Sequence, residues 1–185
     1  MHILLTRPIE DCENLIIKFR NLGHTVSHFP VIKIKKKKYN PINFSEYSCF
    51  IFTSSNAIKN LNLSGINKNT HCFCVGNATE KTALSFGFQN VFSAEGNVNN
   101  LKELVLQSIN KKDSKLLYVS GEIVSSDLDK DLIKEGYKIV RLTNYSVEPI
   151  ETLDVDFIEK LKKNIPEIVF IYSQNSGNNF LNLIN

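Results

Sequence analysis

The sequence predicts an α/β fold in which parallel strands alternate with helices, and three observations support this. Short apolar runs recur along the 185 residues, separated by segments with apolar residues at three- and four-residue spacing. Glycine follows several of these segments, at Gly23, Gly87 and Gly136, where a helix can end in a left-handed turn. The runs at 49–52 and 116–119 are apolar throughout, as expected of parallel strands that are covered on both faces.

Eight strand candidates follow in order, each a short run rich in apolar and β-branched residues. They are residues 3–6, 25–29, 48–52, 71–75, 90–92, 115–120, 138–141 and 167–172. Helical stripes lie between them: Cys12, Leu15, Ile16 and Phe19; Leu101, Leu104, Val105 and Ile109; Leu128, Leu132 and Ile133. Because helices connect successive strands, the sheet should be parallel.

Two segments interrupt this alternation, and we interpret them as linkers. Residues 33–38 carry five lysines, and residues 145–149 are extended and contain a proline. A phosphate-rich partner is an alternative for the lysine run, but isolated charge runs are more often solvated connectors. The linkers bracket an inserted domain, residues 39–144, and leave residues 1–34 plus 150–185 as a discontinuous first domain. A chain that passes twice between two domains creates a cleft, which is a favoured ligand site.

Composition argues against several classes of function. Hydrophobic residues make up 42% of the chain and charged residues 22%, as in an ordinary globular protein with a packed core. The net charge of +3 is too small to predict a nucleic-acid partner. The apolar runs are too short for a membrane span, and residues 1–8 are better explained as a first strand than as a signal peptide.

The cysteines indicate a reducing compartment, and we expect a cytoplasmic protein. Cys72 and Cys74 alternate within an apolar run, which places both side chains on one face of a strand. Neither a second cysteine pair nor a nearby histidine pair completes a zinc pattern. We therefore interpret this pair as buried thiols and expect no metal site.

Small polar residues follow four of the predicted strands, at the edge where open parallel sheets bind ligands. They are Thr53, Ser54, Ser55 and Asn56; Gly76, Asn77, Ala78 and Thr79; Ser120 and Gly121; and Ser173, Gln174, Asn175 and Ser176. Helix capping explains any single loop equally well, because Ser, Thr and Asn are preferred N-cap residues. Four such loops at one edge favour a binding site for a small polar molecule, since one cap residue would suffice in each. The free N–H groups of helix starts there attract anions.

Several familiar chemistries lack their signatures. Neither Gly-x-Gly-x-x-Gly nor the P-loop pattern occurs, so nucleotide cofactors are not expected. The Gly-x-Ser-x-Gly elbow of α/β-hydrolases is also absent. The four histidines are scattered, and we expect each to be structural or exposed. What is left is a site without an obvious acid, base, metal or nucleophile, which would shape a substrate with dipoles and hydroxyls.

One group of motifs carries a resemblance through its order and spacing along nearly the whole chain. The motifs are Leu5-Thr6-Arg7-Pro8, Ile51-Phe52-Thr53-Ser54-Ser55-Asn56-Ala57-Ile58, Val75-Gly76-Asn77-Ala78-Thr79, Leu117-Tyr118-Val119-Ser120-Gly121, Tyr145 and, more weakly, Phe170-Ile171-Tyr172-Ser173. Together they resemble the uroporphyrinogen-III synthase family. The stretch around Thr53 and Ser54 is the most specific of them.

The resemblance implies two flavodoxin-like domains joined by a two-stranded linker, with the active site between them. It implies that linear hydroxymethylbilane is closed into uroporphyrinogen III, with loss of water and inversion of ring D through a spirocyclic intermediate. No cofactor is implied. Hydroxymethylbilane synthase, which supplies the unstable bilane, is implied as a transient partner. Neither a nucleic acid nor a membrane is implied as a partner.

The resemblance also implies roles for particular residues. Tyr145 would help the hydroxyl leave as water; the alternative is a linker tyrosine packed against one domain, because a phenol is a weak acid unless it is positioned. The substrate is rich in carboxylates, which explains strand-end amides and hydroxyls better than capping alone. The expected substrate-binding residues are Arg7, Thr53, Ser54, Ser55, Asn56, Gly76, Asn77, Thr79, Ser120, Gly121, Ser173 and Ser176.

The chain departs from the family in two places. Many relatives have Arg where this chain has Ser120, so we expect one cation for the substrate's carboxylates to be missing. Relatives also continue beyond residue 185, which leaves the first domain with three strand candidates and an exposed sheet edge. We therefore expect either completion of that domain by a second copy in a homodimer or a shortened homologue that binds tetrapyrrole with little or no turnover. A response-regulator-like domain is a third alternative, but it would need acidic strand ends.

Overall fold

The computed structural model describes residues 1–112 and 114–184, and within them strands and α-helices alternate along the chain. The strands are β1 (His2–Leu5), β2 (Thr25–His28), β3 (Ile32–Lys36), β4 (Cys49–Phe52), β5 (His71–Val75), β6 (Val91–Ala94), β7 (Lys115–Gly121), β8 (Lys138–Pro149) and β9 (Ile168–Phe170). The helices are α1 (Glu13–Asn21), α2 (Ser55–Lys59), α3 (Gly76–Ser85), α4 (Val98–Ser108), α5 (Leu128–Lys134), α6 (Val155–Lys163) and α7 (Gln174–Ile184). None of these helices is both long and apolar enough to cross a membrane.

The strands form two sheets, with the orders β2-β1-β9 and β3-β8-β7-β4-β5-β6. Strand β1 pairs in parallel with β2 and β9, and β4 pairs in parallel with β5 and β7. The pairs β5–β6 and β7–β8 are parallel as well. The predicted α/β fold with parallel sheets is therefore confirmed.

The chain divides into two compact units, Met1–Lys35 with Val147–Asn185 and Lys36–Ser146. The first unit contains the three-stranded sheet. Its core is a small cluster of Ile3, Leu5, Cys12 and Ile16, with Phe170 packed against it.

The second unit has a larger core, with apolar side chains on both faces of its sheet. On one face Ile51, Phe73 and Tyr118 pack with residues of α4 and α5 such as Leu101 and Leu132. Each fully buried side chain of this size contributes about 1.5–3 kcal/mol to folding. This double coverage explains why β4 and the middle of β7 are apolar throughout.

The opposite face of the second sheet holds an aromatic cluster and two thiols. Phe88 meets Phe50 and Phe52 at ring-centroid distances of 5.9 and 5.8 Å. Cys72 and Cys74 are free and buried, with their Sγ atoms 3.8 Å apart. The interpretation of this pair as buried thiols is confirmed.

The predicted helix ends at glycine are confirmed, and α5 shows the geometry. Gly136 has a φ of 91°, its N–H donates to the Ile133 carbonyl at 2.9 Å, and the Tyr137 N–H donates to the Leu132 carbonyl at 3.0 Å. Both bonds satisfy carbonyl groups that the end of a helix leaves free. A residue with a Cβ would be strained at this φ, which is why glycine ends the helix.

Both segments interpreted as linkers contain strand, and the boundaries between the two compact units, after Lys35 and after Ser146, fall within them. Residues 32–36 form β3, in which Ile32 and Ile34 are half-buried and alternate with exposed lysines. Strand β8 does not stop at residue 141 but continues to Pro149. An ion pair between Lys35 and Glu148 at 2.6 Å joins residues of these two strands. The sequence did not indicate this strand, because only two isoleucines show the alternation of apolar and polar residues and lysines occupy the other positions.

Candidate functional site

The carboxyl ends of the central strands of the second unit surround a cavity of about 360 Å³, here called the strand-end pocket. Loops after β4, β6 and β7, the end of β5 and one residue of β8 form its walls. Its lining residues are Thr53, Ser54, Val75, Gly96, Asn97, Val98, Tyr118, Gly121, Ile123, Val124, Ser125 and Tyr145. This is the edge at which an open parallel sheet is expected to bind its ligand.

The predicted residues Thr53, Ser54, Gly121 and Tyr145 all line this one pocket. They come from three different strands or strand ends, separated by up to 92 positions in the sequence. Parallel pairing of β4 with β7 and of β7 with β8 brings them to the same edge. The topology therefore assembles part of the predicted site.

Thr53 is bonded to a phenol that no sequence pattern singled out as a site residue. Its Oγ1 lies 3.1 Å from the hydroxyl of Tyr118, which is almost fully buried. Burial raises the pKa of the Tyr118 phenol, whereas the hydrogen bond to Thr53 and the charge of Arg141 act in the opposite direction. Tyr118 therefore stays neutral near pH 7 and presents a hydroxyl, not a phenolate, to the pocket.

Ser54 is explained in part by helix capping. Its Oγ accepts a hydrogen bond from the N–H of Asn56 at 3.2 Å, at the start of α2. This is the capping alternative that the sequence left open. The predicted residues Ser55 and Asn56 lie in the first turn of α2 and are not among the residues that line the pocket.

A second helix start forms another wall of the pocket, and it was not among the predicted site residues. The side chain of Asn97 caps α4 by accepting from the N–H groups of Asn99 at 2.9 Å and Asn100 at 3.3 Å. Asn100 in turn accepts from the N–H of Asn97, completing a capping box. Val98, the first residue of α4, lines the pocket, so the positive end of this helix dipole lies at its wall.

The side chain of Tyr145 packs directly against Gly121. A Cβ atom at Gly121 would lie 2.7 Å from Cζ, 2.8 Å from Cε2 and 3.0 Å from the hydroxyl oxygen of Tyr145. The first two distances are shorter than real Cβ atoms show, so a larger residue at position 121 would require the Tyr145 ring to shift. Tyr145 is 8% exposed, so the phenol is held in the pocket and is not a loosely attached surface group.

Ser120 is not among the residues that line the pocket, and the expectation that a cation for the substrate's carboxylates is missing stays a prediction. It is 1% exposed, and its hydroxyl accepts a hydrogen bond from Nε of Arg141 at 2.8 Å. A guanidinium group from the neighbouring strand therefore lies at this strand end. No local signal in the sequence points to it, because the two residues are 21 positions apart and meet only through the pairing of β7 and β8.

Three further predicted residues, Gly76, Asn77 and Thr79, belong to the first turn of α3 and do not line the pocket. Gly76 has a φ of 73°, which glycine adopts without strain, so the backbone conformation alone explains why glycine stands at this position. Thr79 is buried. Substrate binding by this loop stays a prediction.

The remaining predicted residues, Arg7, Ser173 and Ser176, lie in the first unit. Arg7 forms an ion pair with Asp11 at 3.5 Å, and its guanidinium lies 4.8 Å from the ring centroid of Tyr172. The hydroxyls of Ser173 and Ser176 are 2.9 Å apart, and the Ser176 N–H donates to the Ser173 hydroxyl at 3.1 Å. These contacts are a helix cap and a local ion pair, so capping explains the two serines.

The described residues contain no group of three or more His, Cys, Asp and Glu side chains that could hold a metal ion. The strand-end pocket offers hydroxyl, phenol and amide groups, and none of its lining residues is acidic. Ile123, which is 78% exposed, adds an apolar surface at the rim together with Val124. Such a site can hold an anionic ligand that also has flat apolar rings.

The fold is α/β with parallel strands, and the strand-end pocket is its candidate small-molecule site. A family model described as Uroporphyrinogen-III synthase HemD matches residues 13–185. The chain therefore belongs to the uroporphyrinogen-III synthase family, as its motifs predicted.

Individual relatives agree with this assignment. A porphyrin biosynthesis protein HemD from Ruminiclostridium josui is 28% identical over 179 residues, covering 88% of this chain. The chain spans 34% of the length of that curated relative.

Two solved structures share the fold. Uroporphyrinogen-III synthetase from Helicobacter pylori has a TM-score of 0.63 at 15% identity, and the match covers 97% of this chain and 76% of that one. A mutant uroporphyrinogen III synthase from Thermus thermophilus has a TM-score of 0.57 at 14% identity, with coverage of 99% and 77%. At these identities the likeness concerns the fold.

Proposed function

We propose that this protein is a uroporphyrinogen-III synthase, which closes hydroxymethylbilane into uroporphyrinogen III with inversion of ring D and loss of water. The observation that carries the proposal is the strand-end pocket. Its lining combines neutral hydrogen-bonding groups, a helix start and an apolar rim, and it contains no carboxylate. This combination suits a substrate rich in carboxylates and built of pyrrole rings, because an acidic wall would repel the carboxylates.

The size of the pocket sets which part of the substrate it accommodates. About 360 Å³ is near the lower end of ligand pockets, which span roughly 300–1,000 Å³. A four-ring chain with acidic side chains exceeds this volume. We therefore propose that the pocket takes the reacting end of the bilane, where the hydroxymethyl group is carried.

In this proposal Tyr145 is the proton donor. The bond between carbon and the hydroxyl oxygen breaks as the phenol gives its proton to that oxygen, and water leaves while the pyrrole ring supplies the electron pair. A positioned proton donor accelerates such a step by about 10²–10⁴-fold. Tyr118, bonded to Thr53, orients the substrate by a neutral hydrogen bond. No cofactor is required for these steps.

Substrate binding is proposed for the neighbouring groups as well. The start of α4 and the residues Thr53, Ser54 and Ser125 line the same pocket, and backbone N–H and hydroxyl groups suit carboxylate ligands. Roles for Arg7, Ser173 and Ser176 remain predictions from the family resemblance. So does the transient partner, hydroxymethylbilane synthase.

We also interpret the two compact units as the two flavodoxin-like domains that the resemblance implies, with β3 and β8 as the two connecting strands. A cytoplasmic location is proposed because all four cysteines are free.

The test is an isomer-resolved cyclisation assay on the 185-residue chain. Hydroxymethylbilane is generated in the reaction by its synthase, and the products are oxidised and separated as isomers I and III. We expect the III isomer, formed faster than the spontaneous closure to isomer I. Tyr145→Phe should lower the yield of isomer III. Tyr39→Phe is the control and should not lower it, because Tyr39 does not line the pocket; its hydroxyl accepts the Asn62 N–H at 2.8 Å. Isomer I alone, at the rate of a protein-free control, would contradict the proposal and favour a homologue that binds tetrapyrrole without turnover.

A further inference from the structure

Strand β8 contains a bulge beside the pocket. Strands β7 and β8 pair without interruption from Lys115 with Lys138 through Ser120 with Thr143, but the next pair is Gly121 with Tyr145. One residue of β8, Asn144, is thus skipped. Because neighbouring side chains in a strand point to opposite faces, this one-residue shift decides which side chain of β8 lies over Gly121.

Arg141 holds the β7 side of this bulge. Its Nη2 donates to the carbonyl oxygens of Gly121 at 2.8 Å and Glu122 at 3.0 Å, in addition to the bond from Nε to Ser120. One planar guanidinium therefore binds three consecutive residues at the end of β7. Bonds from a charged donor are about twice as strong as those between neutral groups, and a guanidinium fixes its acceptors in a plane.

The residues that Arg141 holds are the same residues that Tyr145 contacts. The ring of Tyr145 packs on Gly121, where a Cβ would come within 2.7 Å of it. The carbonyl oxygen of Tyr145 accepts the N–H of Glu122 at 2.9 Å. Residues 121 and 122 therefore contact both the ring and the backbone of Tyr145.

The skipped residue, Asn144, is held independently. It is fully buried, its Nδ2 donates to the Ala57 carbonyl at 2.7 Å, and its own carbonyl accepts the Lys37 N–H at 2.8 Å. These bonds fix the β8 side of the bulge. On the β7 side, Arg141 binds the carbonyl groups of Gly121 and Glu122, and the ammonium group of Lys37 donates to the Glu122 carboxylate at 2.8 Å.

We propose that Arg141 is the positioning residue for Tyr145: its guanidinium fixes the end of β7 so that the phenol of Tyr145 is seated on Gly121 in the strand-end pocket. The inference rests on the proposed function in one respect, the role of Tyr145 as proton donor. Arg141 itself is not among the residues that line the pocket. It acts through the backbone of residues 120–122.

The test replaces Arg141 by methionine, which keeps much of the side-chain length and removes all five donors. Lys134→Met is the matched control, since it removes a cation from an exposed site on α5 whose partner is Asp131. The protein is labelled with 3-fluorotyrosine, which gives one ¹⁹F resonance for each of its six tyrosines. Loss of a resonance in Tyr145→Phe assigns that of Tyr145. The values of kcat and KM for isomer III are measured in parallel.

We expect the Tyr145 resonance of Arg141→Met to move toward that of a solvent-exposed fluorotyrosine, with kcat lowered at least tenfold and KM changed by less than about threefold. Lys134→Met should leave the resonance and both constants unchanged. Arg141→Lys, whose ammonium cannot span three acceptors, should recover part of the resonance shift and part of kcat together. An unmoved Tyr145 resonance in Arg141→Met would overturn the inference, and so would a moved resonance with unchanged kcat.

Two further measurements keep the outcome decisive. If Arg141→Met does not give a folded spectrum, Ser120→Ala replaces it; this variant removes one of the three acceptors and should produce a smaller shift of the same resonance. No shift in a folded Ser120→Ala would then overturn the inference. If the wild-type chain forms no isomer III, the proposed function fails, while the ¹⁹F comparison still decides whether Arg141 positions the Tyr145 ring.

Discussion

Replacement of Gly121 by alanine tests whether the packing of the Tyr145 ring on Gly121 matters for catalysis. The added Cβ would lie 2.7 Å from Cζ of the ring, whereas carbon atoms in contact are about 3.5–4.0 Å apart. The ring must therefore move by about 0.8 Å, which it can do because it is the end of a side chain. The backbone at Gly121 has no positive φ that would add strain.

The expected effects on stability and on rate differ in size. Crowding a packed position costs about 1–3 kcal/mol, and the smaller flexibility of alanine in the unfolded chain offsets roughly 0.5–1 kcal/mol of this. A misplacement of about 1 Å in a catalytic group can lower a rate about 10²-fold. We therefore expect Gly121→Ala to lose about 1–2 kcal/mol in the free energy of unfolding, and kcat to fall about 10–100-fold, equivalent to about 1.4–2.7 kcal/mol.

The assay is the isomer-resolved rate together with urea unfolding, for the wild type, Gly121→Ala, Tyr145→Phe and the double variant. If Gly121 acts through the phenol of Tyr145, adding Gly121→Ala to Tyr145→Phe should change kcat by less than about twofold, because the proton donor is already absent. An equal fold-loss on both backgrounds would refute the reasoning. So would a wild-type kcat in a folded Gly121→Ala.

Three further predictions concern the same unit. Thr53→Val should lower the free energy of unfolding by about 1–2 kcal/mol in urea, because the buried Tyr118 hydroxyl loses its partner; an unchanged midpoint would contradict this. Asn97→Ala should cost about 1 kcal/mol by removing the cap of α4, and should raise KM because that helix start forms a pocket wall; loss of stability with an unchanged KM would separate the cap from the site. Burial raises the pKa of the Cys49 thiol. Above about pH 8.5 the unfolded chain therefore loses the thiol proton, whereas the native state keeps it. The free energy of unfolding should consequently fall as pH rises, by up to about 1.4 kcal/mol per pH unit. Cys49→Ala should show a correspondingly flatter pH dependence between about pH 8.5 and 10.5, and an identical slope would contradict it.

The sequence was sufficient for those elements whose signal is local. Strand β5 begins and ends at the predicted residues, because its apolar run is short and bounded by polar residues. Strand β3 is hidden in the sequence because lysines dominate it, although Ile32 and Ile34 alternate as in a half-buried strand. The predicted end of β8 at Arg141 is too early, because the residues that follow are mixed in polarity, yet pairing with β7 continues past that point.

The candidate site shows the same division between local and non-local signals. Thr53, Ser54, Gly121 and Tyr145 could be selected because strand-end position and motif resemblance are visible in the sequence. Tyr118 could not, because a phenol inside a strand is indistinguishable from a core residue until the neighbouring strands are placed. The positioning role proposed for Arg141 could not be predicted either, because it involves a β-bulge. No periodicity in the sequence indicates which residue of a strand is skipped.

The central claim is that the strand-end pocket binds the tetrapyrrole, and chemical-shift mapping tests it most directly. Uroporphyrinogen III, kept reduced under argon, is titrated into the ¹⁵N-labelled chain, and the backbone amide shifts are followed. We predict the largest saturable shifts at the lining residues Thr53, Val98, Gly121 and Tyr145. Saturable shifts that leave these four amides unchanged would place the binding site elsewhere and contradict the account.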